Sequence, residues 1–490
     1  MTQTAFLHPS QDPAGALARM VANTRFEDIP ASLVELAKKA IFDTLSVTIA
    51  GSAWEVCPAI VDQVMEWGGA PQSRIAVYGH RLPAPLAAFA NGVMARAIDM
   101  GDVHETGGHV TEWNVPVMLA ALGIAGRRIT GRDFITAYVV GAELSVRCSA
   151  ALNLVRYQTT RGMPGEWYGA LCGAASAARL LDYSADETWN ALGMCYSVHT
   201  MSEHSKYAEG TQMARVQHSF AGDTAIKSLL LTRRGVTAPR GIFQGYPGGI
   251  LHHIEWDDVQ PELLTEDLGT RWHLGEGLSM KPYSACKFTH SFIASTAELV
   301  RRHAIDHRRI AAINCRGSDA ARMTFEPAEA KWHPRSVPEA MFSAPYTIAT
   351  AAMTGGFFLG DLAREAIDDP VRRALMSRVA ITADRAITQD FEGYWVEIVL
   401  DDGRRFEMVT PYTAGHTRNP LTWADQADKL RRCAAYSARP FAEDELVRLE
   451  HLCRSLDTLD DAALLLDAMV PNGWEKPFDA DVSMMSTAQG

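Results

Sequence analysis

The chain has 490 residues, 47% of them hydrophobic, with a formal net charge of −12. That length buries at least one large core and is expected to hold two domains. No run of five Lys or Arg residues occurs and no apolar run reaches the length of a membrane span, which argues against a nucleic-acid surface and against a spanning helix. The eight cysteines are scattered without a C-x-x-C pair, the usage of reduced structural thiols in a cytosolic protein. Met1 to Asp12 lacks a basic region followed by an apolar one, so no secretory signal and a cytoplasmic location are expected.

The first half is helical by period. From Ala31 to Ala50, Leu33, Leu36, Ala37, Ala40, Ile41, Leu45 and Ile49 recur at three- and four-residue intervals, with Pro30 before the run and Gly51 after it. Similar runs cover 85–98, 115–125, 133–152, 169–181 and 214–234, and Ser184 with Glu187 forms a capping box for a helix through Thr200. Runs such as Gly173 to Ala178 are rich in Ala and Gly, which lets helix backbones approach closely. The pattern changes after about Trp272. Segments 309–315, 379–383, 394–400 and 406–409 read as strands, and Asp401-Asp402-Gly403 marks a hairpin between the last two. Helical patterns at 288–303 and 339–355 lie among them, and helical period returns after Pro420 through Ala468. The predicted fold is mainly α: a large helical domain built from both chain ends, 1–272 and 411–490, plus a smaller inserted α/β lid domain at 273–410. A cleft between two such domains is a common ligand site.

Two distant stretches carry the chemistry. Asp99-Met100-Gly101-Asp102-Val103-His104 puts two carboxylates and an imidazole within six residues at the end of an apolar run. Lys281-Pro282-Tyr283 puts an ammonium beside a phenol in a loop at the expected domain boundary. Both clusters suit proton transfer on a small acidic substrate, with one group moving a proton and cations holding carboxylates. His109 follows Gly107-Gly108, which permit a tight loop, and its imidazole titrates near neutrality. Asp99 and Asp102 are placed to orient a histidine or lysine, or to bond nearby amides. Arg215 and His218, three apart, share a helix face and are expected to bind one substrate carboxylate, with Lys206 as a further candidate. Asp99, Asp102, His104, Glu105, His109 and Glu112 are potential metal ligands, but no H-E-x-x-H or comparable spacing exists and no metal site is expected. A G-x-S-x-G nucleophile elbow and a Walker A loop are both absent from the sequence.

In order and spacing these motifs resemble the MmgE/PrpD family of 2-methylcitrate dehydratase, cis-aconitate decarboxylase and iminodisuccinate epimerase. The resemblance runs from Pro30 and Asp43-Thr44 through Ala90-Asn91-Gly92, Gly141-Ala142-Glu143 with Arg147, Gly173 to Leu181, His218, Lys281-Pro282-Tyr283 with Cys286 and His290, Phe342-Ser343 with Pro345-Tyr346, to Gly415 and Asn419-Pro420-Leu421. It implies a helical domain with an α/β lid, a homodimer, and chemistry without metal or organic cofactor. It also implies a site role for Tyr346, which the sequence otherwise reads as a core residue. This chain departs from the family pattern at Gly101, where an aspartate is usual, at Val103 for threonine, at Met163 for a histidine of decarboxylase members, and at Arg215 for lysine.

The reading is a cofactor-independent, dehydratase-like lyase acting on a small hydroxy-polycarboxylate. His109 or Lys281 would be the base, and Arg215 and Lys281 the stabilising cations. A protonated imidazole, His104 included, or Tyr346 would assist the leaving group. The alternatives are an epimerase using the same proton abstraction and a catalytically silent ligand-binding member.

Overall fold

The computed structural model describes residues 12–153, 155, 166–198, 211–243, 249–250 and 259–474, so Met163 and Lys206 lie outside the described residues. The longer helices are α1 Pro13–Asn23, α2 Ala31–Gly51, α3 Cys57–Trp67, α4 Ala84–Arg96, α5 Thr111–Leu122, α6 Gly131–Ala151, α7 Gly169–Leu180, α8 Ala185–Val198 and α9 Met213–Thr232. After these come α10 Lys287–His303, α11 Ala344–Thr354, α12 Trp423–Ala434 and α13 Glu443–Arg454. Among the described residues helix covers each run expected from periodicity, 339–355 in two pieces, while Thr200, the expected end of the Ser184 helix, lies outside them; helix dominates the structure. Ser184 and Glu187 form the expected reciprocal cap, with Glu187 N–H donating to Ser184 Oγ at 3.2 Å and Ser184 N–H to Glu187 Oε2 at 2.8 Å. The segment 339–355 is split: Phe342 ends a short helix, Val337–Met341, and Ser343 caps α11 by accepting from Tyr346 N–H.

Small residues bring the central helices into contact. A Cβ at Gly141 of α6 would lie 1.9 Å from Ser176 Oγ of α7, so only glycine allows that approach. The end of α2 is buried on every face from Ala40 to Gly51, including Asp43, and α12 from near the C-terminus packs against it.

The strands are β1 Ser73–Arg74, β2 Arg81–Leu82, β3 Asp102–His104, β4 Leu278–Met280, β5 Ile310–Gly317, β6 Val379–Ala383, β7 Trp395–Leu400 and β8 Arg405–Val409. The last four form one sheet in the order β6-β5-β7-β8. β5 runs parallel to β6 and antiparallel to β7, while β7 and β8 are the expected hairpin, with Gly403 at φ 86° in its turn. The buried apolar side chains of the sheet and of the helices form one continuous cluster.

The ladder of β3 and β4 corrects the sequence reading, which puts the first segment at the end of a helical run and the second next to a loop. They pair antiparallel, Asp102 with Met280, Val103 with Ser279 and His104 with Leu278. Each is three residues long, too short for alternation to register. This ladder joins the two chemical motifs.

Candidate active site

α4 ends at Arg96, and the chain turns through Asp99 in a left-handed conformation at φ 48°, a strained backbone that Asp tolerates better than most residues. The turn aims the Asp99 carboxylate at two cations. Lys281 Nζ donates to Asp99 Oδ1 at 2.9 Å, and Arg96 Nη1 donates to the same oxygen. Lys281 reaches this position because β4 delivers it opposite Gly101, whose carbonyl accepts from Lys281 N–H at 3.2 Å. All three side chains are at most 3% exposed. Burial alone would push the Asp99 carboxyl up, but Lys281 and Arg96 together hold it well below the usual carboxylate range, so Asp99 is ionised.

Asp102 caps a helix. Its Oδ1 accepts from Val110 N–H at 3.2 Å and Thr111 N–H at 2.9 Å, and Thr111 Oγ1 donates to Oδ2. This starts α5 at Thr111, earlier than the apolar period indicates. The backbone carbonyl of Asp102 accepts from His109 Nδ1–H at 2.9 Å, so Nε2 is the nitrogen that carries the lone pair when the imidazole is neutral. Gly107, at φ 104°, makes the tight turn before His109.

Behind His109 lies a layer of buried acids. Glu166 Oε1 accepts from His109 N–H at 2.8 Å, and Glu166 Oε2 is 3.4 Å from His218 Nε2. Glu112 Oε1 is 2.7 Å from His218 Nδ1 and 3.2 Å from Arg96 Nε, and Glu112 Oε2 is 3.4 Å from His109 Nδ1. Burial pushes the Glu112 carboxyl up to about 8, with Arg96 pulling the other way and Glu166 adding to the rise. Trp113 stacks on His218 with ring centroids 4.3 Å apart and donates its indole N–H to His109 O at 2.8 Å.

Arg96, Asp99, His109, Glu166 and Lys281 line one cleft together with Lys287. Val103, Cys286, Phe288, Met323, Phe342 and Phe391 form its apolar wall. Lys429 of α12 braces the floor: its ammonium donates to Asp43 Oδ1 at 2.7 Å, to Met100 O at 2.9 Å and to Lys281 O at 2.8 Å. One cation thus clasps α2 and both motif segments.

The structure therefore brings Asp99, His109 and Lys281 together, with Asp102 and His218 in the layer that supports them. Other expected residues are employed elsewhere. His104 accepts from Thr106 N–H at Nδ1 and donates from Nε2 to His273 O at 3.0 Å, and burial lowers its pKa to about 4, so it is a neutral structural imidazole. The Tyr346 hydroxyl donates to Asp361 O and accepts from Arg372 Nη1 at 2.7 Å, away from the cleft wall, and burial pushes the phenol up to about 12. Arg215 is buried and committed to Glu55 Oε2 at 3.2 Å and Met341 Sδ at 2.8 Å, so it and His218 do not share one open carboxylate site. Tyr283 packs edge-on against His290, 5.2 Å between centroids. Sequence reasoning missed Arg96, Glu166, Lys287 and Lys429. A signal existed only for Arg96, which lies three residues before Asp99. Among the described residues no three His, Cys, Asp or Glu side chains gather as a metal ion would need.

Residues 15–262 match the MmgE/PrpD N-terminal domain, and 283–452 match the MmgE/PrpD C-terminal domain. Cis-aconitate decarboxylase of Aspergillus terreus (strain NIH 2624 / FGSC A1156) is 24% identical over 487 residues, covering 95% of this chain and 98% of that protein. Cis-aconitate decarboxylase of Homo sapiens is 24% identical over 441 residues, covering 88% and 89%.

Proposed function

The chain belongs to the MmgE/PrpD family, and from that premise we propose that it is a cofactor-independent lyase acting on a small polycarboxylate at the carbon alpha to a carboxylate. The observation that carries this reading is the meeting of the His109 imidazole with the Arg96–Asp99–Lys281 cluster at one cleft. His109, with Nδ1–H held by the Asp102 carbonyl, takes the alpha proton at Nε2. The electron pair left on carbon spreads into the adjacent carboxylate. Lys281 and Arg96, fixed by Asp99, stabilise that enolate-like charge in a water-poor cleft, where such contacts exceed their value in water. Collapse of the intermediate expels the group on the neighbouring carbon. For a beta-hydroxyl, a proton from the site leaves with it as water. For decarboxylation, the reaction in the relatives' name, the bond from carbon to a carboxylate breaks instead, its electron pair stays on carbon as an enolate-like charge held by Lys281 and Arg96, and a His109 that starts protonated at Nε2 gives that proton to the carbon as CO2 leaves. Arg215 takes no direct part, because its guanidinium already has Glu55.

The test is NMR of the protein in deuterated water with hydroxy-, amino- and unsaturated polycarboxylates, cis-aconitate included. Elimination or decarboxylation with solvent deuterium on the product supports the reading, and His109→Gln should abolish it. Alpha exchange that inverts the substrate without losing a group would make the protein an epimerase. Absence of both in the parent, with ligand bound, would sink the catalytic reading.

A further inference from the structure

Lys287 has no part in the chemistry above. It opens α10, lines the cleft, and is 4% exposed. A lysine at the first turn of a 17-residue helix meets the positive end of the helix dipole, so its position is electrostatically poor without an anion. The protein supplies part of that anion. Lys287 Nζ donates to Glu392 Oε1 at 2.5 Å and to Thr413 Oγ1 at 2.7 Å, which uses two of its three N–H groups. Glu392 shares its charge further: Thr413 Oγ1 donates to Oε1 and Thr413 N–H to Oε2, both at 2.8 Å. Glu392 is not part of the cleft wall, while Lys287 is.

The surroundings point to a ligand. Phe288 and Phe391 stack with centroids 4.6 Å apart, and Phe342 and Met323 complete an apolar wall beside the ammonium. A buried ion pair among aromatic side chains adds little stability over an apolar filling, so stability alone does not account for it. Three cations, Arg96, Lys281 and Lys287, line the cleft, and Asp99 is shared by the first two. Burial disfavours the charged form of Lys287, Glu392 favours it, and Lys281, within electrostatic range, adds a smaller push against it. An anion spanning the two ammoniums relieves that repulsion.

We infer that Lys287 is a specificity residue that binds a second carboxylate of the substrate, one separated by an apolar stretch from the carboxylate held at Lys281 and Arg96. The inference rests on the proposed polycarboxylate chemistry and names which end of the substrate Lys287 reads. Single carboxylates would then bind poorly, and the body between the anions would lie against Phe288, Phe342 and Phe391.

Isothermal titration calorimetry tests this with butyrate against succinate and crotonate against cis-aconitate. The parent should prefer the second member of at least one pair by about ten- to a hundred-fold, the worth of one charge-assisted contact. Lys287→Met should collapse that preference to within about three-fold and leave monocarboxylate binding unchanged. Because this variant strands Glu392, Lys287→Met/Glu392→Gln provides the same measurement without a buried lone carboxylate. Glu392→Gln alone should keep or increase the preference. No preference in the parent, or a preference that survives in the double variant, overturns the inference. If the preference behaves as stated but no substrate exchanges or reacts in deuterated water, the lyase reading falls and the anchor stands. Turnover with a preference indifferent to Lys287 has the opposite meaning.

Discussion

Replacing Asp99 with asparagine isolates the charge that holds the site together. Asn accepts the left-handed φ of 48° about as well as Asp, so Asp99→Asn changes charge without adding backbone strain. The parent carboxylate contacts Lys281 at 2.9 Å and also Arg96, all three buried. Each contact is worth about 4 kcal/mol of Coulomb energy at an effective dielectric of about 20, offset by the cost of dehydrating the ions. Without the carboxylate two buried cations face each other, and the net loss should be about 3–5 kcal/mol. Urea denaturation followed by tryptophan fluorescence should show it as a lower midpoint with an unchanged slope. The pH dependence follows from the depressed folded-state pKa of Asp99, where Lys281 and Arg96 outweigh burial. Its contribution is complete above the unfolded pKa of about 3.9 and is lost as pH falls toward the folded value. The gap between parent and variant should therefore stay constant from about pH 5 to pH 8 and close in more acid solution. A loss under about 1 kcal/mol at pH 7, or a gap that widens with acidity, would refute the reasoning.

Three further outcomes are expected. Lys429→Met strands the buried Asp43 carboxylate and the carbonyls of Met100 and Lys281, and should cost about 3–5 kcal/mol in urea titration, with partial recovery in Asp43→Asn/Lys429→Met. Glu112, with its pKa raised to about 8, binds a proton in the fold that the unfolded chain has released, so parent stability should fall as pH rises from about 4.3 to 8. Glu112→Gln mimics the neutral acid, and thermal melts across that range should show its midpoint gaining on the parent's as pH climbs. A Cβ at Gly108 would meet Tyr168 Oη at 1.8 Å, so Gly108→Ala should shift the His109 loop and cost about 1–3 kcal/mol. Proton exchange at the substrate carbon should drop with it, and Tyr168→Phe in the same chain should restore both.

Of the candidate site, Asp99, His109 and Lys281 were legible because their types and neighbours are local: a carboxylate at a helix end, an imidazole after two glycines, a lysine beside a proline. The same locality misled elsewhere. Arg215 and His218 share a helix face by spacing, yet Glu55 takes the first, while Glu112 and Glu166 flank the second. Spacing says which side of a helix a residue occupies and nothing about which distant acid meets it there. Tyr346 carried a role only by resemblance, and its phenol is bonded to Arg372 and Asp361.

The sequence by itself determined the helical runs, the β7–β8 hairpin and the family, because side-chain period, turn residues and motif order are written along the chain. Only the tertiary structure decided how the motifs meet. The ladder of β3 and β4 is too short to have a period, and it sets Lys281 against Asp99 across 182 positions. Lys429 locks that meeting from the far end of the chain, and Lys287 enters the cleft wall by the same long-range packing. The pairing of buried charges depends on which groups folding leaves at contact distance and out of water, and that distance is not a property of any local stretch of sequence.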